Sequence, residues 1–385
     1  MRLTNKALKS EFLATCERLR EGQLTLCTPE GERYHFGTSG PEAEMIIRDW
    51  AAVSAMAAHG QVGLGETYVQ GLWDTPSIEG LMGLAMRNRD HLGSYDQATT
   101  LNKLKFRLVD TVLRGNSRRG SRKNIRSHYD VGNEFYQLWL DDGMTYSSGL
   151  FDANSDDLGL AQTRKNARAL SRLSDGKRVL EIGCGWGGFA EHAAKNGRDV
   201  TGVTISRNQH SYADCRLDGR ADIQLRDYRD VQGKYDNIVS IEMIEAVGEK
   251  YWPDYFSVLK HNLADGGRVL LQAITIQDEY FETYKKSSDY IRQYVFPGGM
   301  LLSNNVIAQQ ANNVGLAVQD SFAFGQDYAK TCRIWAKRLV GQKLKIIDQG
   351  FSEEFFRNWQ YYLEICAASF AISHTNVVQV ELAHV

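Results

Sequence analysis

The stretch VLEIGCGWGG (179–188) sets an acid, Glu181, two residues ahead of a run of glycines. Gly183, Gly185 and Gly188 spell G-x-G-x-x-G, the signature of a strand entering a tight turn that lets a ligand approach the backbone. A dinucleotide would put its pyrophosphate there, and Glu181 would repel it. A cationic ligand without phosphate, S-adenosylmethionine with its sulfonium and ammonium groups, is the better match. The next strand ends VTISRNQ, with Thr204, Ser206 and Gln209. It lacks the acid that NAD wants for its ribose hydroxyls about 20 residues after the glycines. That absence also departs from the commonest adenosylmethionine pattern, which uses an acid there too.

Such a turn needs a sheet to hold it. RVLEIG (178–183), RDVTGVTI (198–205), ADIQLRD (221–227), YDNIVSIE (235–242) and GRVLLQAIT (267–275) read as strands. Helical stretches near 187–196, 206–217 and 251–263 separate most of them, so a mostly parallel sheet in an α/β fold is expected. LAVQDSFAF (316–324) and KTCRIWAKRL (330–339) could complete its edge, the second reading equally well as helix. An amphipathic helix, SEEFFRNWQYYLEICAASFAIS, and a strand-like tail, NVVQVELA, follow.

A chain of 385 residues exceeds the usual size of one core. Residues 1–100 read as a smaller, mainly helical domain with a short β element near TLCTPEGERYHFG, and 127–385 as the larger domain. Between them, 101–126 reads as a basic amphipathic linker: residues 103–126 carry nine Lys/Arg against one Asp. Leu104, Phe106, Leu108, Val112 and Leu113 interleave with those charges. A solvated connector and a segment lying on an anionic bilayer are equally good readings of it. The net charge of −2 aims no global field at nucleic acid. Six cysteines without a C-x-x-C pair fit a reducing cytoplasm, and no metal is expected. MRLTNKALKSEFL lacks the apolar core of a signal peptide, and no apolar run is long enough to span a membrane.

The chain resembles the cyclopropane fatty acid synthase family through nine spaced motifs. They are GQVGLGETYVQGLWD (60–74), HYDVGNEFYQLWLD (128–141), MTYSSGLF (144–151), VLEIGCGWGGFA (179–190) and VTGVTISRNQ (200–209). LRDYRDV (225–231), SIEMIEAVG (240–248), YIRQYVFPGG (290–299) and FGQDYAKT (324–331) complete the series. The resemblance implies a class I S-adenosylmethionine methyltransferase with a Rossmann-like sheet, acting on unsaturated acyl chains of membrane phospholipid. It also implies a bound bicarbonate as base, held by a Glu, a His, a Tyr and the segment around a Cys. The Glu falls on Glu245 and the Tyr on Tyr328, whereas the Cys position is Ser148 and the His position Gln272, two departures that put the bicarbonate in doubt. Buried in VLLQAITI, an unpaired Gln272 amide would cost about 1–3 kcal/mol, so it either bonds a neighbour or faces the ligand. The ligand is the expectation, because the sheet's ends carry the site. Implied cofactor contacts are Tyr146, Ser147, Glu181, Gly183, Gly185, Gly187, Thr204, Gln209, Asp227 and Tyr228.

The expected product is a methylated, still unsaturated chain, because the departures alter the shell around the base. Ring closure to a cyclopropane, methylation of a small molecule, and a catalytically inactive lipid-binding protein are the alternatives. A cytoplasmic enzyme, peripheral on the inner face of the membrane and forming a homodimer, completes the expectation. No nucleic-acid partner is expected.

Overall fold

Alternation in GQLTLC turns Leu24 and Leu26 inward and makes Gly22–Cys27 a strand, β1. It pairs antiparallel with β2 (Arg33–Ser39) and parallel with β3 (Glu42–Ile47), and β4 (Trp73–Asp74) completes a four-stranded sheet. In this computed structural model, which describes residues 2–92, 131–153 and 155–385, helices make up most of the rest of this region. They are α1 (Arg2–Cys16), α2 (Ala51–His59), α3 (Gln61–Val69) and α4 (Ile78–Arg87). The β element read in the sequence is thus one hairpin of a larger sheet. In β3 only Met45 and Ile47 are buried, too short an alternation to announce a strand.

The larger sheet has seven strands: β5 (Arg178–Ile182), β6 (Asp199–Thr204), β7 (Asp222–Leu225), β8 (Tyr235–Ile241), β9 (Leu263–Ile276), β10 (Leu316–Ala323) and β11 (Thr375–His384). Their order is β10-β11-β9-β8-β5-β6-β7. Strands β7, β6, β5, β8 and β9 run parallel, while β11 is antiparallel to both β9 and β10. Helices α5 (Leu158–Ser171), α6 (Gly188–Lys195) and α7 (Arg207–Leu217) cover one face, packing Phe189, Ala193 and Leu217 on Val179, Val200 and Val239. On the other face α8 (Trp252–Asn262) packs Trp252 and Phe256 on Leu180, Ile182 and Ile238. Burial on both faces explains why these strands read as continuous apolar runs.

The chain continues through α9 (Asp278–Lys286), α10 (Asn304–Asn313), α11 (Gly325–Gly341) and α12 (Glu353–Ala371). The ambiguous run 330–339 is helical, within α11. Its buried residues Cys332, Trp335, Ala336 and Leu339 recur at helical spacing, which no strand could place on one side. Helix α12 joins the two halves of the molecule. Its Trp359, Tyr361 and Leu363 share one buried cluster with Leu26, Trp50 and Met82 of the N-terminal region. Arg357 Nε donates to Tyr68 O at 2.7 Å, and its guanidinium lies 3.9 Å from the centre of the Tyr68 ring. The basic segment 103–126 lies outside the described residues. No described helix is long and apolar enough to cross a membrane.

Candidate active site

Strand β5 sends its chain to β6 on one side and has β8 on the other, so a crevice opens beyond their carboxyl ends. The turn after β5 is tied down by Gly183 N–H and Cys184 N–H, which donate to Val203 O at 2.9 and 3.1 Å. Gly183 (φ +80°) and Gly185 (φ +54°) take left-handed backbone that other residues adopt with strain. A Cβ on Gly183 would come within 2.6 Å of the Met243 side chain. One on Gly185 would meet nothing within 4 Å, because that residue borders a cavity of about 820 Å³. Gly187 stands apart. It caps α6 and is absent from the cavity wall, and its bare Cα lets Ala213 and Leu217 of α7 come close, a helix-packing role.

Tyr146, Ser147, Glu181, Thr204, Gln209, Asp227 and Tyr228 all line the cavity. Thr204 Oγ1 donates to Gln209 Oε1 at 2.9 Å. Asp227 receives Arg229 Nε and Nη2 at 2.8 and 2.7 Å. Glu181 is buried, its Oε2 has no partner among the described residues, and burial pushes its carboxyl up to about 8. Near it, Lys165 Nζ donates to Ser147 Oγ at 3.1 Å, and burial pulls this ammonium down to about 8 against the attraction of Glu242, Asp141 and Glu181. An orphaned acid oxygen beside an open glycine turn fits the cationic end of S-adenosylmethionine and disfavours a pyrophosphate.

Past β8 the backbone turns sharply at Glu242 (φ +49°), whose N–H donates to Gln272 O at 2.8 Å. The Glu242 carboxylate accepts three bonds: Ser148 N–H at 3.0 Å and Gln272 Nε2 at 2.7 Å on Oε1, and Tyr328 O–H at 2.5 Å on Oε2. Behind Gln272 the polar chain continues. Gln379, its cross-strand partner on β11, donates to Gln272 Oε1 at 2.9 Å and accepts from Arg168 Nη1 at 2.6 Å. The expectation that Gln272 faces the ligand meets a side chain turned to its neighbours and not to the cavity. It is fully buried and absent from the cavity wall, and its amide is satisfied by two neighbours. Ser148 is likewise fully buried away from the cavity, with its hydroxyl donating to Gly149 O at 2.9 Å.

Glu245 and Tyr328 do line the cavity. Tyr328 stacks on Phe370 with ring centres 4.3 Å apart. Glu245 Oε1 accepts from Ile274 N–H at 2.6 Å, while its Oε2 has no partner among the described residues. Burial, and after it the charge of Glu242, push the Glu245 carboxyl up to about 8. Burial raises Glu242 as well, but Tyr328, Ser148, Gln272 and the Lys165 charge all oppose it. Both carboxyls are raised by burial, but three hydrogen-bond donors oppose the rise at Glu242, whereas Glu245 has one backbone donor.

Two of these residues escaped the sequence reading, and both left a signal. Glu242 sits three residues before Glu245, directly after a core strand. Lys165 falls on the stripe of α5 formed by Leu158, Ala161, Gln162 and Ala169, where a solvated lysine has no place. The same cavity has an apolar part, the chamber, walled by Met82 and Met86 of α4, Ile274, Phe296, and Tyr361 and Ile365 of α12.

The family model of mycolic acid cyclopropane synthetase matches residues 116–380. The chain belongs to the cyclopropane synthase family. Tuberculostearic acid methyltransferase UfaA1 of Mycobacterium tuberculosis is 34% identical to this family member in an alignment of 364 positions that covers 89% of this chain and 84% of that protein. The cyclopropane-fatty-acyl-phospholipid synthase of Escherichia coli K12 is 34% identical in an alignment of 349 positions that covers 88% of this chain and 87% of its own. Among solved structures, mycolic acid cyclopropane synthase CmaA1 in complex with SAH and CTAB aligns with a TM-score of 0.64 at 29% identity, over 68% of this chain and 97% of that one. This cyclopropane synthase family member is an S-adenosylmethionine-dependent methyltransferase of fatty acyl chains, built on the class I fold.

Proposed function

We propose that the enzyme methylates the double bond of an unsaturated acyl chain carried by a membrane phospholipid, releasing mainly a methylated, still unsaturated chain. One observation carries this reading: a single cavity is lined by the glycine turn and Glu181, by Glu242 and Glu245, and by the apolar residues of the chamber. When bound, S-adenosylmethionine supplies an electrophilic methyl group. Glu181 and the glycine turn orient its cationic end. The chamber excludes water that would quench positive charge on the chain. The rings of Phe296, Tyr361 and Tyr328 line the same cavity, and aromatic rings stabilise positive charge. Phospholipid as carrier draws support from the printed name of the Escherichia coli relative, and methyl addition from that of UfaA1. The basic segment 103–126 suits docking on an anionic inner membrane face.

The product assignment rests on Gln272 and Ser148. Both serve Glu242 and neither reaches the cavity, which argues against a bicarbonate held as the resemblance implies. A chain that loses a proton from a neighbouring carbon, not from the new methyl, regains a double bond. Feeding methyl-deuterated methionine to cells expressing the gene, followed by mass spectrometry of total fatty acids, decides it. The expected product retains all three deuteriums and one unsaturation. A saturated product with a ring and two deuteriums overturns the assignment.

A further inference from the structure

Methyl transfer to an alkene leaves a carbon short of an electron pair, and turnover requires a base near that carbon. Of the acids facing the cavity, Asp227 and Asp289 are paired with Arg229 and Arg292. Glu181 lies at the glycine turn, and Glu245 has a single backbone donor. Glu242 is different. Three donors from three separate elements (the Tyr146–Gly149 segment, β9 and α11) converge on it, and the Arg168–Gln379–Gln272 chain fixes the amide that feeds one of them. A carboxylate offers about four lone-pair sites. Three are filled, so one on Oε2 stays open on a side chain that lines the cavity. The turn bearing Glu242 also abuts the cofactor end, since Met243 is the residue a Cβ on Gly183 would strike. Tyr328, which bonds Oε2, stacks on Phe370, and both rings line the same cavity. The left-handed backbone at Glu242 is the local strain expected where a side chain is aimed for a task.

We propose that Glu242 is the built-in base of the reaction, with Gln272 and Tyr328 as the residues that position it and no external anion required. The inference rests on the acyl-alkene reading above. In the step itself the alkene π pair forms the new carbon–methyl bond as the methyl–sulfur bond breaks. The bonding pair stays on sulfur to leave S-adenosylhomocysteine, and the adjacent chain carbon becomes electron-poor. Glu242 Oε2 then takes a proton from a carbon beside that centre, and the C–H pair it leaves becomes the new double bond. The proton stays on the carboxyl group and passes to water as the product leaves. Were the proton taken from the new methyl, the same pair would close a three-membered ring, so Glu242 can serve either outcome and the deuterium count tells which.

The test has a binding arm and a turnover arm. A hexadecyl chain with a tertiary amine at its midpoint imitates the electron-poor carbon. Calorimetry with S-adenosylhomocysteine present is expected to show it binding the wild type at least about tenfold more tightly than Glu242→Gln, which corresponds to about 1.4 kcal/mol. The uncharged alkene analogue should bind both alike, and S-adenosylhomocysteine itself should bind both alike, which reports an intact fold. In the turnover arm, on phosphatidylglycerol vesicles with oleoyl chains, Glu242→Gln is expected to lose about 100- to 10,000-fold in rate. Glu242→Ala should recover part of the loss with added formate, and the wild type should keep its rate in bicarbonate-free buffer. Equal amine affinity in wild type and Glu242→Gln overturns the proposal, as does a wild-type rate that collapses without bicarbonate and returns with it. A charge-dependent amine affinity with no methyl transfer to any unsaturated lipid would instead overturn the acyl-alkene reading and leave Glu242 as the cavity's anion.

Discussion

Burial and the neighbouring Glu242 charge push the Glu245 carboxyl up to about 8, so the folded chain keeps a proton there that the unfolded chain releases near 4.5. Between those values the native state binds more protons than the unfolded state, and stability must fall as pH rises. Glu245→Gln removes that dependence while retaining an acceptor for Ile274 N–H. Urea unfolding from pH 5 to pH 8 is expected to show the wild type losing stability more steeply than the variant. Parallel curves would mean that Glu245 ionises normally. Glu181, raised in the same direction, contributes equally to both proteins and cancels. Lys165 acts elsewhere: its ammonium is lowered from 10.5 to about 8, so its contribution changes only above that window, where stability rises with pH.

Helix α3 shows how an element outside the catalytic sheet shapes the chamber. Gly65 lies against two cavity-lining rings, and a Cβ there would sit 2.2 Å from Tyr290 Cδ2 and 2.8 Å from Tyr361 Cε1. In a bare helix, Gly→Ala gains about 1 kcal/mol. Here the added methyl must displace rings already fixed in the core, which typically costs about 1–3 kcal/mol. Gly65→Ala is therefore expected to be net destabilising in urea and to lower kcat/KM toward the lipid. Cofactor affinity should be untouched, because Gly65 is remote in the fold from the glycine turn. A stabilised variant with unaltered kinetics would show that the rings yield freely. The GQVGLGETYVQGLWD motif thus has a packing reason for one of its glycines.

The whole molecule unfolds as its core dictates. One buried cluster runs from Leu26 and Trp50 through Trp335 and Trp359 to Phe370, so the N-terminal region and the helices behind the sheet share their apolar burial. A single cooperative transition is expected, with hydrogen exchange in β1–β4 and in β5–β9 lost at the same urea concentration. S-adenosylhomocysteine should protect both regions together, by about 2.7 kcal/mol at a hundredfold excess over its Kd. Earlier loss of β1–β4, or protection confined to the large sheet, would show two independent cores.

What the sequence by itself determined was the set of local patterns whose physics is local. The apolar runs of β5, β6 and β8, the glycine turn with its acid, and the spaced family motifs all belong to short stretches, and they were legible because burial on both faces and left-handed backbone restrict residue types directly. The fate of a polar residue inside a strand was not legible in that way. Gln272 was expected to reach the ligand, but only the antiparallel register of β11 sets Gln379 opposite it and so satisfies its amide. Likewise Ser148 became a backbone donor, and Glu242 took the central place assigned to residues around it, because three donors distant in sequence meet at one carboxylate. A hydrogen bond's partner is fixed by which elements pack together. That is a property of the tertiary structure, and it is what decided which acid of the pair receives the three donors.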